Sequence, residues 1–285
     1  MDIPGKLSVL TIGNSFSESL KAYWQQAVDS TGCQLEFDGA NIGGCELHRH
    51  WHYIEEEKDP NCRIYKSNRY KMREMLAMKQ WDIVTIQQAS HASWKPETYQ
   101  PFAQNIIDYI HQYAPQAEIV IQQTWAYRAD DPRLCPDRKS YWGIDQTGMY
   151  DRLTAAYKKL SKDSGNLRII PTGLAVQLTR QNQGYHFQNY TPASLHQLRW
   201  PDLPSQAGDT VGKLFWGKNH ETGSFAIYGD HIHLNIRGQY LQACVWFAFL
   251  FHRSAEDILF IPDEIDNNDA VFLQKMANRA VCEFK

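Results

Sequence analysis

Leu7-Ser8-Val9-Leu10-Thr11-Ile12-Gly13-Asn14-Ser15 is a short apolar run that ends at a glycine and leads directly into a serine. Between Ser17 and Ser30, apolar residues recur at the three- and four-residue intervals of a helix with one buried face. The pattern therefore predicts a buried strand, a tight turn and an amphipathic helix at the start of an α/β domain.

The same alternation of apolar runs and helical periods continues along the chain. Further strands are predicted at residues 34–41, 81–87, 118–125 and 167–171, and helices at about 68–79, 97–113 and 148–164. Strands that alternate with helices pair in parallel through right-handed crossovers, and helices then cover both faces of the sheet. The sequence thus predicts an α/β fold around a five-stranded parallel sheet, with its ligand site at the carboxyl edge.

Three segments depart from this alternation. They lie at about residues 48–67, 127–142 and 181–224, and the longest is rich in Gly, Pro, Gln, His and aromatic residues. Because long irregular segments are uncommon in compact domains without a function, we expect these insertions to cover the mouth of the site. Helices are again predicted at residues 237–252 and about 269–281. No second domain is indicated, so residues 1–285 are interpreted as a single domain.

Composition narrows the functional classes. The 285 residues carry a formal net charge of −3 and a pI near 6.4, so the chain has no basic field for a nucleic-acid partner. No apolar run reaches the roughly 18 to 20 residues that span a bilayer, and no membrane partner is expected. Residues 1–5 lack a charged and then apolar leader. The sequence as given favours a soluble cytoplasmic protein, or a periplasmic or secreted one whose leader has been removed.

Cysteine and histidine spacing predicts neither a metal nor a cofactor. No CxxC or Cys/His zinc pattern occurs, and the wide spacing favours free thiols over disulfides. The six cysteines are Cys33, Cys45, Cys62, Cys135, Cys244 and Cys282. The alternating His48, His50 and His52 lack a neighbouring carboxylate or cysteine to complete a metal site, so we expect them to line a loop beside the active site.

Candidate chemistry lies in the segment Gly229-Asp230-His231-Ile232-His233-Leu234-Asn235. An aspartate three residues before a histidine lets the carboxylate reach the imidazole. A serine hydroxyl becomes an effective nucleophile when such an imidazole takes its proton and a carboxylate fixes the tautomer. We therefore predict that Ser15, His233 and Asp230 form a triad. His231 is disfavoured as the base, because adjacent side chains of an extended or turning segment point apart.

These motifs resemble those of the SGNH hydrolases, also called GDSL-type esterases. Gly13-Asn14-Ser15 is similar to the first block of that family, with Asn14 in place of the usual aspartate, and residues 230–238 are similar to its last block. The resemblance covers residues 7 to about 252. It implies a flavodoxin-like three-layer α/β/α sandwich and a serine ester hydrolase, and the Gly-Asn-Ser variant resembles bacterial carbohydrate-esterase-like members.

The resemblance also implies an oxyanion hole. Gly43 or Gly44 falls where the family has a glycine whose backbone amide approaches the developing oxyanion, and the backbone amide of Ser15 is the second donor. The third block departs from the family pattern, because no asparagine follows the third strand. The side-chain amide of Gln87 or Gln88 is expected to take its place.

Four further side chains are expected to contact the substrate, because they lie at the carboxyl edge of the predicted sheet: Asn14, His91, Trp125 and Tyr127. A structural role is the alternative for the two aromatic residues, and His91 is a weaker candidate for the third oxyanion donor. An ordinary α/β-hydrolase is a competing fold. Its GxSxG motif would need a second glycine where this chain has Ser17. Its nucleophile would also not follow the first strand, as Ser15 does here.

The sequence thus predicts a serine esterase that removes O-acetyl or other short acyl groups from a carbohydrate. Its partner would be a small-molecule or polysaccharide ester, with no cofactor. A lipase- or thioesterase-like acyl hydrolase is the alternative within the same chemistry, although residues 181–224 are too polar to indicate a long apolar groove. A catalytically inactive carbohydrate-binding protein on the same fold is the alternative from another class, and the absent asparagine favours it.

Overall fold

The computed structural model describes residues 4–134, 142–184, 186–188, 190, 192–206, 208–219, 221 and 223–285. Cys135 lies outside the described residues, as do parts of the segments 127–142 and 181–224. The five described cysteines form no disulfide with one another.

Five parallel strands form the centre of the protein, in the order β2-β1-β3-β4-β5. They are β1 (Lys6–Gly13), β2 (Gln34–Asn41), β3 (Ile83–Ile86), β4 (Glu118–Gln122) and β5 (Ile169–Ile170). Strand β1 lies between β2 and β3, and all of its residues after the first are buried, as expected for a strand covered by helices on both faces. The predicted five-stranded parallel sheet is confirmed.

Helices cover the two faces of this sheet. The α-helices of the described residues are α1 (Ser15–Glu18), α2 (Trp24–Asp29), α3 (Leu47–Glu56), α4 (Tyr65–Asn68), α5 (Met72–Ala77), α6 (Phe102–Tyr113), α7 (Gln146–Asp163), α8 (Thr172–Asn182), α9 (Pro192–His196), α10 (Ile236–Phe251) and α11 (Asn267–Glu283), of which α9 lies beside the antiparallel hairpin described below. Helix α10 packs against α2, α8 and α11, whereas α6 packs against α3 and α5. The result is the predicted flavodoxin-like three-layer α/β/α sandwich.

Helix α10 follows the predicted catalytic histidine and is buried around most of its circumference. Gly238 in its first turn lies so close to the chain before β6 that a Cβ there would be 2.1 Å from the Thr210 carbonyl oxygen. The absence of a side chain thus lets the start of α10 pack directly against that backbone. Among the described residues, no helix combines the length and the apolarity needed to cross a membrane.

A second, antiparallel sheet consists of β6 (Val211–Lys218) and β7 (Phe225–Leu234). Strand β6 lies in the segment 181–224, and α3 and α4 lie within or across the segment 48–67, so both segments predicted as irregular contain regular structure. The hairpin was hard to predict because few of its side chains are buried, and the apolar alternation that marks a strand is therefore weak.

Candidate active site

The three predicted triad residues are hydrogen-bonded in a line. Nε2 of His233 lies 3.0 Å from the Ser15 hydroxyl oxygen, and Nδ1 of the same ring lies 2.9 Å from Oδ2 of Asp230. Ser15 follows β1 of the parallel sheet, whereas the other two residues lie on β7 of the hairpin. The two sheets thus each contribute one side of the site.

Asp230 is held by more than the imidazole. Its Oδ1 accepts hydrogen bonds from the backbone amides of Ile232 and His233, at 2.9 and 3.0 Å. Partial burial raises the pKa of this carboxyl, but the hydrogen bonds from His233 and Ile232 outweigh it and hold the pKa below its ordinary value. An ionised Asp230 accepts a hydrogen bond from the N–H at Nδ1, which keeps the proton on that nitrogen and leaves the lone pair of Nε2 directed at the Ser15 hydroxyl.

Asn14 shapes the turn that presents Ser15, the predicted nucleophile. Its side-chain oxygen accepts from the backbone amide of Phe16 at 3.1 Å, as an N-cap does, and from Nε2 of Gln87 at 2.6 Å. Its own amide donates to the Cys45 carbonyl at 3.2 Å. Asn14 is buried, so the expected substrate contact is replaced by a structural role: it fixes the backbone around Ser15.

Two glutamines support the same turn from the interior. The Phe16 carbonyl oxygen accepts from Nε2 of Gln242 at 2.9 Å and from Nε2 of Gln122 at 3.3 Å. The hydroxyl of Ser17 donates to Oε1 of Gln122 at 2.8 Å. These partners lie more than 100 residues from the turn in sequence, so no local motif indicated them.

His50 anchors the end of β1. It lies on α3 and is fully buried, with Nε2 3.0 Å from the Gly13 carbonyl oxygen and Nδ1 3.0 Å from the Tyr65 hydroxyl. Because a carbonyl can only accept, Nε2 carries the proton and Nδ1 accepts from Tyr65. Burial lowers the pKa of His50 to about 4. His50 was expected in a loop beside the active site, whereas it holds the backbone two residues before Ser15.

The candidate oxyanion glycines lie on a turn that is hydrogen-bonded to the residues just before Ser15. Gly43 and Gly44 form an exposed turn after β2. Two hydrogen bonds join this turn to the residues before Ser15: Ile42 N donates to the Gly13 carbonyl at 3.1 Å, and the Asn14 side-chain amide donates to the Cys45 carbonyl. The φ of +61° at Gly44 lies in the left-handed region that favours glycine. Among the described residues neither glycine amide has an acceptor, so both are available to a ligand.

The two glutamine side chains do not point to an oxyanion. Gln87 donates to Asn14, and its Oε1 lies 3.1 Å from the Ser17 hydroxyl oxygen. The amide nitrogen of Gln88 donates to the carbonyl and hydroxyl oxygens of Thr98, at 2.9 and 3.1 Å. Both residues are buried. The expectation that one of them supplies the third donor is corrected: both amides satisfy interior hydrogen bonds, that of Gln87 to the turn around Ser15 and that of Gln88 to Thr98.

His91 lies at the margin of the site. Its Nε2 is 2.6 Å from Oε1 of Glu46, which follows Cys45 and so adjoins the glycine turn, and both side chains are partly exposed. Of the residues expected to contact substrate, His91 is the one whose side chain remains accessible. Its contact with substrate stays a prediction.

Trp125 packs against the neighbours of His233, the predicted catalytic base. The Trp125 ring stacks on Phe16 with centroids 3.8 Å apart, and the Phe16 ring in turn meets His233 edge to face at 5.9 Å. Nε1 of Trp125 donates to the Ile232 carbonyl at 2.9 Å. Because Trp125 is fully buried, it supports the residues around His233 from the interior, and the expected substrate contact is corrected.

Tyr127 is buried in the same way. Its hydroxyl lies 2.8 Å from the Ser90 hydroxyl, and the guanidinium of Arg133 lies over its ring at 4.6 Å. Tyr127 therefore has the structural role that was the alternative to substrate contact.

His231, which was disfavoured as the base, points away from the triad. Its Nε2 lies 3.5 Å from Oδ2 of Asp130, and burial lowers the pKa of this imidazole.

A cavity of about 360 Å³ opens beside the acid and base of the triad. It is lined by Gln206, Gly212, Lys213, Asp230, His233, Leu234, Asn235, Ile236, Arg237 and Gln239. Most of these side chains are polar. No group of three or more His, Cys, Asp or Glu residues suited to a metal ion occurs in the part of the chain that the structure describes.

Comparisons with known proteins place the chain in a family. A family model described as a domain of unknown function, DUF4886, matches residues 8–196. Among solved structures, the chain is similar to a DUF4886 family protein from Bacteroides uniformis, with 25% identity over 97% of this chain and 95% of that one and a TM-score of 0.74. No curated protein matches the chain.

Weaker structural likenesses also occur. A proposed SGNH hydrolase from Slackia heliotrinireducens is 19% identical over 88% of this chain and 98% of that one, with a TM-score of 0.45. A proposed GDSL-like lipase from Parabacteroides merdae is 12% identical over 86% of this chain and 96% of that one, with a TM-score of 0.46. Likenesses at this level do not establish a shared activity.

Proposed function

The chain belongs to the DUF4886 family of domains of unknown function, and we propose that it is a serine ester hydrolase that removes short acyl groups from carbohydrates. One observation carries the hydrolase part: the continuous line from the Ser15 hydroxyl through His233 to Asp230, at 3.0 and 2.9 Å. Buried side chains hold the backbone at both ends of this line: Asn14, Gln122 and Gln242 beside Ser15, and Trp125 beside His233. A simple helix cap or a chance polar contact would not need this support.

The proposed reaction has two halves. The Ser15 oxygen attacks the ester carbonyl while Nε2 of His233 takes the hydroxyl proton, and the carbonyl oxygen becomes an oxyanion. His233 then gives that proton to the departing alcohol as the carbon–oxygen bond breaks, which leaves an acyl-serine. Water, deprotonated by His233, attacks the acyl-serine, and the proton returns to Ser15 as the free acid leaves.

Backbone amides would stabilise the oxyanion in both halves. The amide of Ser15 is the first of α1 and has no partner within the helix. The exposed amides of Gly43 and Gly44 lie on the turn that is bonded to the residues just before Ser15. By analogy with measured cases, each such donor lowers the barrier by about 2.7 to 4 kcal/mol.

The lining of the cavity supports a polar leaving group. Beside Asp230 and His233 the cavity presents side chains that can bond to hydroxyl groups, such as Gln206 and Gln239, whereas Leu234 and Ile236 are its larger apolar members. A long acyl chain needs a continuous apolar groove to be desolvated. The polar lining therefore favours a short acyl group on a hydroxyl-rich alcohol over a lipase- or thioesterase-like substrate.

The second candidate is a carbohydrate-binding protein without catalysis. It is favoured by one observation: Gln87 and Gln88, which stand where a third oxyanion donor was expected, are committed to interior hydrogen bonds. A fluorophosphonate probe distinguishes the two candidates, because it labels an activated serine covalently. Labelling of the wild-type protein but not of Ser15→Ala supports the hydrolase, and absence of labelling supports the binding protein.

Activity is tested with p-nitrophenyl acetate and p-nitrophenyl octanoate, followed by acetate release from acetylated xylan, pectin, sialosides and peptidoglycan. We expect the acetate ester to be preferred and Ser15→Ala to lower kcat by about 10⁴ or more. Ser164→Ala is the matched control, because the Ser164 hydroxyl makes no hydrogen bond among the described residues and lies at the end of α7 that leads into the opposite edge of the sheet. A preference for the octanoate ester contradicts the short-acyl proposal, and equal activity in Ser15→Ala contradicts the triad.

A further inference from the structure

The hairpin that carries Asp230 displays exposed aromatic side chains on the same face. In the antiparallel register Lys213 lies opposite Asp230, and Phe215 lies opposite Tyr228. Residues directly opposite one another, and residues two apart along a strand, share a face of the sheet. Phe215 and Tyr228 therefore lie on the face of the hairpin that bears the catalytic aspartate.

Phe215 and Tyr228, called here the aromatic platform, lie flat against the hairpin. A Cβ placed on Gly217 would be 2.8 and 3.0 Å from two ring atoms of Tyr228 and 3.9 Å from one of Phe215, so both rings reach over this glycine. Their centroids are 6.1 Å apart and their planes differ by 26°. Since 42% of Phe215 and 38% of Tyr228 is exposed, the platform has one packed side and one side open to solvent.

The aromatic platform is continuous with the candidate active site. Tyr228 precedes Asp230 by two residues, which corresponds to about 7 Å along a strand. The cavity beside the triad is lined by both Asp230 and Lys213, and Lys213 in turn precedes Phe215 by two residues. A ligand that fills this cavity and extends along the hairpin therefore passes from the triad onto the two rings.

We propose that the aromatic platform is a sugar-binding subsite, which holds one pyranose ring of an oligosaccharide or polysaccharide while a neighbouring residue of the same chain presents its ester to Ser15. This inference rests on the proposed function and specifies its substrate: a glycan of several residues. The π face of an aromatic ring is negative and meets the polarised C–H bonds on the flat side of a pyranose. The Tyr228 hydroxyl and the Lys213 ammonium supply polar groups at the margin for the sugar hydroxyls.

Charge and shape favour this occupant over an acyl chain. Lys213 is exposed, lines the cavity and precedes Phe215 by two residues on β6, so a cation stands between the cavity and the rings. An acyl chain on an open surface would keep much of its own area in water and gain little. A sugar ring needs only one flat contact and leaves its hydroxyl groups hydrated.

The test compares a polymeric with a small substrate in three variants. Phe215→Ala and Tyr228→Ala each remove one ring of the platform, and Phe225→Ala is the matched control. Phe225 is 60% exposed on the same hairpin and lies opposite Lys218. It is three residues from Tyr228, and an odd spacing along a strand places two side chains on opposite faces. On that other face its ring lies 6.4 Å from that of Trp200.

We expect each platform variant to raise KM for acetylated xylo-oligosaccharides about 10-fold, with kcat unchanged. All three variants should hydrolyse p-nitrophenyl acetate like the wild type, because that ester does not reach the platform. The proposal is overturned if the platform variants deacetylate the oligosaccharides with wild-type KM, or if Phe225→Ala raises KM as much as they do. The proposal is also overturned if sedimentation shows the wild type to be a dimer and the platform variants to be monomers, since the rings would then bind a second copy of the chain.

A binding measurement separates failure of the subsite from failure of the proposed function. Ser15→Ala is titrated by calorimetry with unmodified xylo-, cello-, chito- and galacturono-hexasaccharides, alone and combined with Phe215→Ala. Binding that the second substitution weakens supports the subsite even if the wild type cleaves no ester. Absence of binding to all four sugars overturns the subsite and leaves the ester hydrolase proposal standing on the p-nitrophenyl assays.

Discussion

Asp230→Asn removes one charge from the triad and leaves its shape almost unchanged. The carboxylate contacts the His233 ring at 2.9 Å. A pair of unit charges about 4 Å apart near a protein surface interacts by about 4 kcal/mol. Because 30% of the Asp230 side chain and 45% of that of His233 is exposed, solvent screening reduces this to about 2 to 3 kcal/mol. At 1.36 kcal/mol per tenfold change in rate, kcat/KM falls by about 30- to 150-fold.

The variant should keep its fold while it loses this activity. An asparagine oxygen can still accept from the backbone amides of Ile232 and His233, so the melting temperature should stay close to that of the wild type. The assay is hydrolysis of p-nitrophenyl acetate at pH 8, with Asp263→Asn on an exposed turn as the control for loss of a carboxylate. If Asp230→Asn retains more than a third of the wild-type kcat/KM while Ser15→Ala is inactive, the charge on Asp230 does not assist the base and this reasoning is refuted.

Three further substitutions test how the site is held. Trp125→Phe removes the indole donor to the catalytic strand and keeps the ring stack; we expect kcat for p-nitrophenyl acetate to fall about 10-fold, and an unchanged kcat would show that this hydrogen bond does not position the base. His50 has a folded-state pKa lowered to about 4, so the unfolded chain binds more protons between pH 6.5 and 4, and the stability His50 contributes above that window is lost as pH falls through it. Between pH 7 and pH 4.5 the free energy of unfolding, measured in urea, should therefore fall by about 2 to 2.5 kcal/mol more in the wild type than in His50→Gln; equal losses in both proteins would contradict the assignment. Gly212→Ala places a Cβ 2.4 Å from the Asp230 carbonyl at a φ of +78°, whereas Gly223→Ala, at a φ of +70°, meets open space. Both should lose stability through strain, but only the first should also lose kcat.

The parallel sheet could be predicted because its information is local. Each strand is a short apolar run stopped by glycine or a polar turn, and the alternation with helices leaves few topologies. The hairpin gave no such signal. Its strands bury few side chains and expose Phe215, Phe225 and Tyr228, so their pattern resembles that of an irregular aromatic segment.

The candidate site also has a part that could be predicted from sequence and a part that could not. Ser15, Asp230 and His233 could be named because each belongs to a short motif, and the sheet topology suggested where they meet. The direction of a side chain at the end of a strand cannot be derived in this way. Gln87 carries the amide that an oxyanion hole needs, but its partner is Asn14, 73 residues away in sequence. Only the packed structure decides that contact.

The nucleophile and its base come from different sheets, and 218 residues separate them in sequence. On a translating ribosome the turn around Ser15 emerges early, but no imidazole can activate its hydroxyl until the later hairpin has been synthesised and has docked on the finished sheet. On the proposed mechanism, a nascent chain of this protein is therefore inert towards esters, and the activated serine exists only in molecules whose folding is complete.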